Sequence, residues 1–187
     1  MALMVCGIGR SFISGSRSVA MRAKLAKAVR GAFAERFRKN LPEFRPVKYL
    51  SIPSSCACYE WPWDKSIRFY LLVIITSKMF DDRFTLEGIV TEGNISPQAA
   101  PLSMEPRLEK AKWFSFRLPF LWRTQGPRDF WWEICPVPDL SIPLVTEESI
   151  DLGLRRVDQR VDDAFEKIKE YAIPFFEHVG QTTARKD

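Results

Sequence analysis

Apolar and polar positions repeat along this chain with two different periods, and the changes between them outline a fold. In the N-terminal part, Leu25, Val29, Ala32, Phe33 and Phe37 recur at helical spacing, so a helix over Ser18–Asn40 has one apolar side. Ser18 is suited to cap it, and Pro42 ends it. Lys24, Lys27, Arg30 and Arg38 fall largely off the stripe. Beyond Pro42 the period changes to two. Pro46–Ile52 and Ser55–Trp61 alternate as strands separated by Pro53-Ser54, and Pro62-Trp63-Asp64-Lys65 reads as a turn.

The stretch Ser66–Glu92 is the centre of the pattern. Its first arm, through Ser77, is β-branched and aromatic for most of its length, as a strand buried on both faces would be. Its second arm, Phe84–Glu92, alternates: Phe84, Leu86 and Gly88 on one face, Thr85, Glu87 and Ile89 on the other. That reads as a half-solvated strand. Lys78–Arg83 joins them, with Asp81-Asp82 in the turn, where short carboxylates bond nearby amides. Gly93–Pro106 carries Pro97, Pro101 and Pro106 and reads as a long loop. Lys112–Leu118 and Asp129–Cys135 read as a fifth and a sixth strand. The helical period then returns. Ile150, Leu154, Val157, Val161, Phe165, Ile168 and Ala172 recur at steps of three and four in a helix over Thr146–Ile173. Thr146 caps it, with Glu147 and Glu148 in the first turn. Asp151–Arg155 and Asp163–Lys167 are expected i,i+4 pairs. Pro174 stops or kinks the helix, and Phe175 to Val179 add one packed turn.

Helix, antiparallel strands, helix is the order of an α+β domain: a single antiparallel sheet of about six strands, with the N-terminal and the long C-terminal helix packed on one face. The expected organisation is a tail or non-native extension over residues 1–20, one domain over 21–180 and a disordered C-terminus over 181–187. A targeting segment is the competing reading of 1–20, because Arg10 and Arg17 lie among serines without an acid. Apolar content of 46% and aromatic content of 13% supply a core for 187 residues. The longest apolar run, Phe69–Ile75, is far short of the roughly 18 residues of a membrane span.

Net charge is +5, which points toward nucleic acid until its distribution is considered. Residues 1–39 hold nine Lys/Arg against Glu35 alone, a net of +8, and the rest of the chain holds 19 basic against 22 acidic residues, a net of −3. The body is mildly acidic, which weakens a whole-domain nucleic-acid reading.

Candidate chemistry is sparse. Cys56 and Cys58 would point the same way from a strand, roughly 7 Å apart, and Cys135 with His178 would complete a Cys3His set. The spacing is not that of a zinc site, and small buried thiols carry more weight. His178 is the single histidine, so any Ser-His-Asp or Cys-His site would have to use it. Asp81, Asp82 and Glu87 are the acids that could hold magnesium for hydrolysis. No phosphate-binding glycine loop is present. The sequence implies no cofactor and no metal, and it favours a protein without enzymatic activity. The most informative stretch is Lys110–Trp132. It interleaves Lys110, Lys112, Arg117, Arg123 and Arg128 with Trp113, Phe114, Phe116, Phe120, Trp122, Phe130, Trp131 and Trp132. Neighbours on a strand face opposite sides, so Trp113/Phe114 and Trp131/Trp132 cannot all enter one core. The excess aromatics are either covered by other segments or form a binding face.

Taken together, Phe69-Tyr70-Leu71 on the central strand, Arg107-Leu108 after the long loop, Trp131-Trp132, and Ile173-Pro174-Phe175-Phe176 resemble the bacterial domain-of-unknown-function family 4304 over about residues 21–180. The resemblance implies no enzymatic role. It points toward immunity or accessory proteins of bacterial toxin or defence systems. The expected function is a cytoplasmic, non-enzymatic protein-binding domain anchored by Trp113, Trp122, Arg123 and Trp131, with Ile95 and Met104 on the rim. The alternatives are nucleic-acid binding through Lys24, Lys27, Arg30 and Arg38 with the Arg/Trp strip, and a metal-dependent hydrolase at the acids of the hairpin.

Overall fold

The apolar stripe of the first helix is the side that packs. In the computed structural model, which describes residues 15–48, 56–78, 81–92, 113–117, 132–134 and 147–184, α1 spans Gly15–Asn40 and buries Leu25, Val29, Ala32, Phe33 and Phe37. The helix begins at Gly15, so Ser18 lies inside it and is not its cap. At its other end Leu41 N–H still donates to the Phe37 carbonyl (2.9 Å), Pro42 follows, and Phe44 N–H closes back on Leu41 (3.0 Å). Leu41 and Phe44 are thereby delivered into the core.

Among the described residues six antiparallel strands follow: β1 (Arg45–Val47), β2 (Cys56–Pro62), β3 (Ile67–Lys78), β4 (Asp81–Glu92), β5 (Trp113–Arg117) and β6 (Trp132–Glu133). The sheet order is β1-β2-β3-β4-β5, and β6 also pairs with β4. The β2–β3 turn is organised by Asp64. Its Oδ1 accepts from Ser66 N–H (2.6 Å), Ser66 Oγ (2.8 Å) and Ile67 N–H (2.7 Å). Burial raises the Asp64 carboxyl pKa, but these bonds outweigh it and hold the group below its ordinary value. The central hairpin pairs from Ile67↔Glu92 to Lys78↔Asp81. Asp81 and Asp82 are therefore strand residues and not the turn expected from their chemistry. The ladder's own backbone pairing carries the strand further than the turn propensity of two acids would.

One layer of helices, α1 beside the C-terminal helix, covers one face of this sheet. Phe69, Leu71, Val73 and Ile75 of β3, with Phe84, Leu86 and Val90 of β4, form one core with α1 and the C-terminal helices. The opposite face is covered over part of its area. Tyr70, Ile89, Thr85 and Thr91 are all within 2% of full burial. β3 is therefore fully buried on its core face, while on the other face Tyr70 is buried and Arg68, Leu72 and Ile74 are half-buried, less cover than its composition implies. β4 is not the half-solvated strand that its alternation implied, because its polar positions include threonines that are themselves buried.

The C-terminal helix is continuous through its proline. α2 (Glu147–Lys167) runs into a π segment (Ile168–Ala172) and then α3 (Ile173–Ala184). Pro174 was expected to stop or kink the helix. It has no N–H, and its ring would meet the carbonyl four residues back. The wider turn immediately before it, where Ile173 N–H reaches the Ile168 carbonyl, absorbs that conflict. Ile150, Val157, Val161, Ala164, Phe165, Ile168, Ala172, Phe176 and Val179 are buried along it. α3 continues to Ala184, so residues 181–184, expected in the tail, are helical.

Candidate interaction surface

The edge of the sheet formed by β5 and β6 is where the Trp/Arg strip is fastened. β5 pairs with Glu87–Thr91 of β4 and β6 with Arg83 and Phe84, both antiparallel to β4 and on the same line. An uninterrupted partner strand would need only two residues to pass Thr85 and Leu86. The chain instead uses residues 118–131 to travel from Arg117, opposite Glu87, to Trp132, opposite Phe84. Those anchors are three β4 positions apart, roughly 10 Å. Arg117 and Trp132 are therefore held close together across a fourteen-residue connection, and long connections in compact domains often carry function.

The returning anchor is a buried tryptophan. Trp132 is 2% exposed. Its indole stacks on Phe84 (centroids 5.3 Å, planes 8° apart), and its Nε1–H donates to Asp163 Oδ2 on α2 (2.7 Å). Asp163 was expected to pair with Lys167. It serves Trp132 instead, and Lys167 Nζ turns to Glu170 (2.7 Å). Of the expected anchors, Trp113 opens β5 opposite Thr91. Trp122, Arg123, Trp131, Ile95 and Met104 lie outside the described residues.

The basic helix offers the second surface. Lys24, Lys27 and Arg38 are exposed, whereas Arg30 is half-buried and has partners of its own. Arg36, which sequence reading did not single out, points across to α2. Its Nε bonds Asp162 Oδ1 (2.9 Å), one terminal nitrogen reaches Asp162 Oδ2 (3.3 Å), and the same nitrogen reaches Asp158 Oδ1 (3.0 Å). The hydrogen bond from Arg36 holds the Asp162 carboxyl below its usual range, and the guanidinium pKa rises in return. Asp158 and Asp162 stand at i and i+4, so one face of α2 presents both. Their partner is more than a hundred residues away, and no local signal could have named it.

The remaining candidates are separated by the fold. Cys56, Cys58 and Glu60 share the sheet face that carries Tyr70 and Leu72. His178 is exposed on α3, whose buried Phe176 and Val179 belong to the core on the other face. A Cys3His site with Cys58 and His178 is therefore not assembled, and Cys135 lies outside the described residues. Burial, with Glu60 and Cys56 adding to it, pushes the Cys58 thiol up to about 12, which makes it an inert thiol at neutral pH. Nearby, Arg68 and Tyr70 both donate to Glu60 Oε1, a charge pair laid across β2 and β3. The hydrolase reading also separates: Glu87 is five residues from Asp82 along one strand, about 17 Å, and these acids do not converge. Among the described residues no group of three His, Cys, Asp or Glu side chains is placed to hold a metal ion. Among the same residues no helix is long and apolar enough to cross a membrane. Comparison with protein-family models, curated proteins and solved structures returned no match.

Proposed function

We propose that this is a non-enzymatic, cytoplasmic protein-binding domain whose contact surface is the aromatic and basic excursion between Arg117 and Trp132. The supporting observation is how the ends of that segment are held: Arg117 and Trp132 both pair with the same strand, β4, roughly 10 Å apart, and Trp132 is locked by a stack and a hydrogen bond. Rigid anchors beside a long Trp- and Arg-rich connection are a suitable base for an interface, where those residue types dominate the binding energy. Trp113, Trp122, Arg123 and Trp131 are the anchors in this reading, with Ile95 and Met104 at the rim. The resemblance to the domain-of-unknown-function family makes an immunity or accessory protein of a bacterial toxin or defence system the first candidate class. The test is affinity capture from the native host with and without nuclease. One stoichiometric protein that survives nuclease and is lost with Trp122→Ala and Trp131→Ala supports the reading. Retention by both variants refutes this surface.

The second reading, nucleic-acid binding through α1, is favoured by the exposure of Lys24, Lys27 and Arg38. It requires capture that disappears with nuclease and an affinity that falls steeply with salt.

A further inference from the structure

We propose that the helical layer of this protein docks on the same layer of a second copy, the outer face of α1 against the outer face of α2. The outward row of α1 is Ala20, Lys24, Lys27, Gly31, Ala34 and Arg38, all exposed and spaced by alternating steps of four and three. It carries three cations and no acid. The outward row of α2 is Asp151, Arg155, Asp158, Asp162 and Glu166, also all exposed, with four acids and one cation. Lys24 and Arg38 are separated by about 21 Å of helix, and Asp151 and Glu166 by about 22 Å. The two charged rows are matched in length and opposite in sign.

The two helices rise in the same direction. Arg36 and Phe37 of α1 meet α2 at Asp158, Asp162 and Phe165 (Phe37–Phe165 5.1 Å), and Phe44, just past the end of α1, meets Phe176 further along (6.3 Å), so the chain leaving α1 advances along the C-terminal helix in the same direction. A two-fold axis running along the helices then sets each α1 parallel to the α2 of the other copy, twice over, as an isologous interface requires. An axis across the helices would instead oppose like rows. The centre of the α1 row admits close approach: a Cβ built on Gly31 meets nothing within 4 Å. Asp158 and Asp162 remain available although Arg36 holds them, since their side chains are 73% and 60% exposed. Phosphate polymers fit this surface less well, because a backbone laid on Lys24 and Lys27 runs beside the acids of α2. Two helices about 30 Å long and about 10 Å wide bury about 600 Å² per partner, below the roughly 800 Å² of a standard stable interface. The dimer is therefore weak, concentration-dependent and salt-sensitive. It does not involve the Trp/Arg strip, so it stands or falls apart from the proposed binding function.

Sedimentation velocity on the full chain tests it. The wild type should shift from monomer to dimer with concentration at low salt, and revert at about 1 M salt, where screening acts within about 3 Å. A triple variant Lys24→Glu, Lys27→Glu, Arg38→Glu should be monomeric. So should a double variant Asp151→Lys, Glu166→Lys. An equimolar mixture of the two should dimerise again, because each reversed row meets its reversed complement in one half of the interface and native rows meet in the other. Recovery on mixing also shows that both variants are folded. If circular dichroism shows either to be unfolded, the salt dependence of the wild type decides alone. A wild type that stays monomeric at low salt, a dimer insensitive to salt, or a folded pair that does not associate on mixing overturns the proposal.

Discussion

Asp163 should matter more to stability than an exposed carboxylate usually does, because of what it leaves behind when removed. The Trp132 side chain is 2% exposed and its Nε1–H is committed to Asp163 Oδ2 at 2.7 Å. Asp163→Ala deletes an exposed acceptor but strands a buried donor, which costs about 1–3 kcal/mol. Trp132→Phe is the converse change. It keeps an aromatic ring against Phe84, and the carboxylate it abandons is rehydrated by solvent. Its cost of about 1–3 kcal/mol comes mainly from the lost ring volume. Asp163→Asn retains an oxygen acceptor and should lie within about 1 kcal/mol of the wild type. Urea denaturation followed by tryptophan fluorescence and by far-ultraviolet circular dichroism reads these differences. With a slope of about 2 kcal/mol per molar, a loss of 2 kcal/mol moves the midpoint down by about 1 M. A double-mutant cycle should return a coupling of about 1 kcal/mol or more, because the two changes remove one shared interaction. An Asp163→Ala midpoint indistinguishable from wild type, with additive double-mutant energies, would show that the bond does not stabilise the fold and that β6 is held by its stack alone.

Three further outcomes are expected. Gly180 lies against the Trp63 indole, where a new Cβ would sit 2.3 Å from a ring carbon, so Gly180→Ala should lower stability by about 1–3 kcal/mol, read as a fall in the urea midpoint. Gly31→Ala should do the opposite, raising stability by about 0.5–1 kcal/mol, since it improves an exposed helical position with open space around it. The Arg36 clasp should fail in acid. Asp162 has a depressed folded pKa, so its contribution is complete above the unfolded value of about 3.9 and is lost as pH falls through the lower folded value. Between neutral pH and pH about 3 the wild type should lose more stability than Asp162→Asn, which has no carboxyl to protonate there. Equal losses would show that the pair is not linked to folding.

The amphipathic periods carried most of the fold. Leu25 to Phe37 and Ile150 to Ala172 had to face a core, and so did Phe69, Leu71, Val73 and Ile75 of β3, because an apolar stripe has nowhere else to go in water. Those features depend on residues close in sequence, and a single chain displays them. Where local chemistry and long-range structure compete, the reading from sequence fails. Asp81-Asp82 have turn chemistry, yet the β3–β4 ladder draws them into a strand. Pro174 should end a helix, yet a π turn makes room for it because Phe176 on the far side has a place to stack against Phe69 at 4.6 Å. Thr85 and Thr91 look solvent-facing by alternation, and burial of the second sheet face makes them interior.

Which groups meet across the fold was decided by tertiary structure alone. Arg36 with Asp158 and Asp162, Trp132 with Asp163, and Gly180 with Trp63 join residues that no spacing rule connects. The same holds for what is kept apart: Cys58 from His178 by the thickness of the sheet, and Glu87 from Asp82 by the straightness of a strand. The sequence by itself determined which faces must be hidden, since that follows from residue type and period. The partners of the polar groups, and the pairing of both Arg117 and Trp132 with β4, depend on where distant segments come to rest, and packing alone settles that.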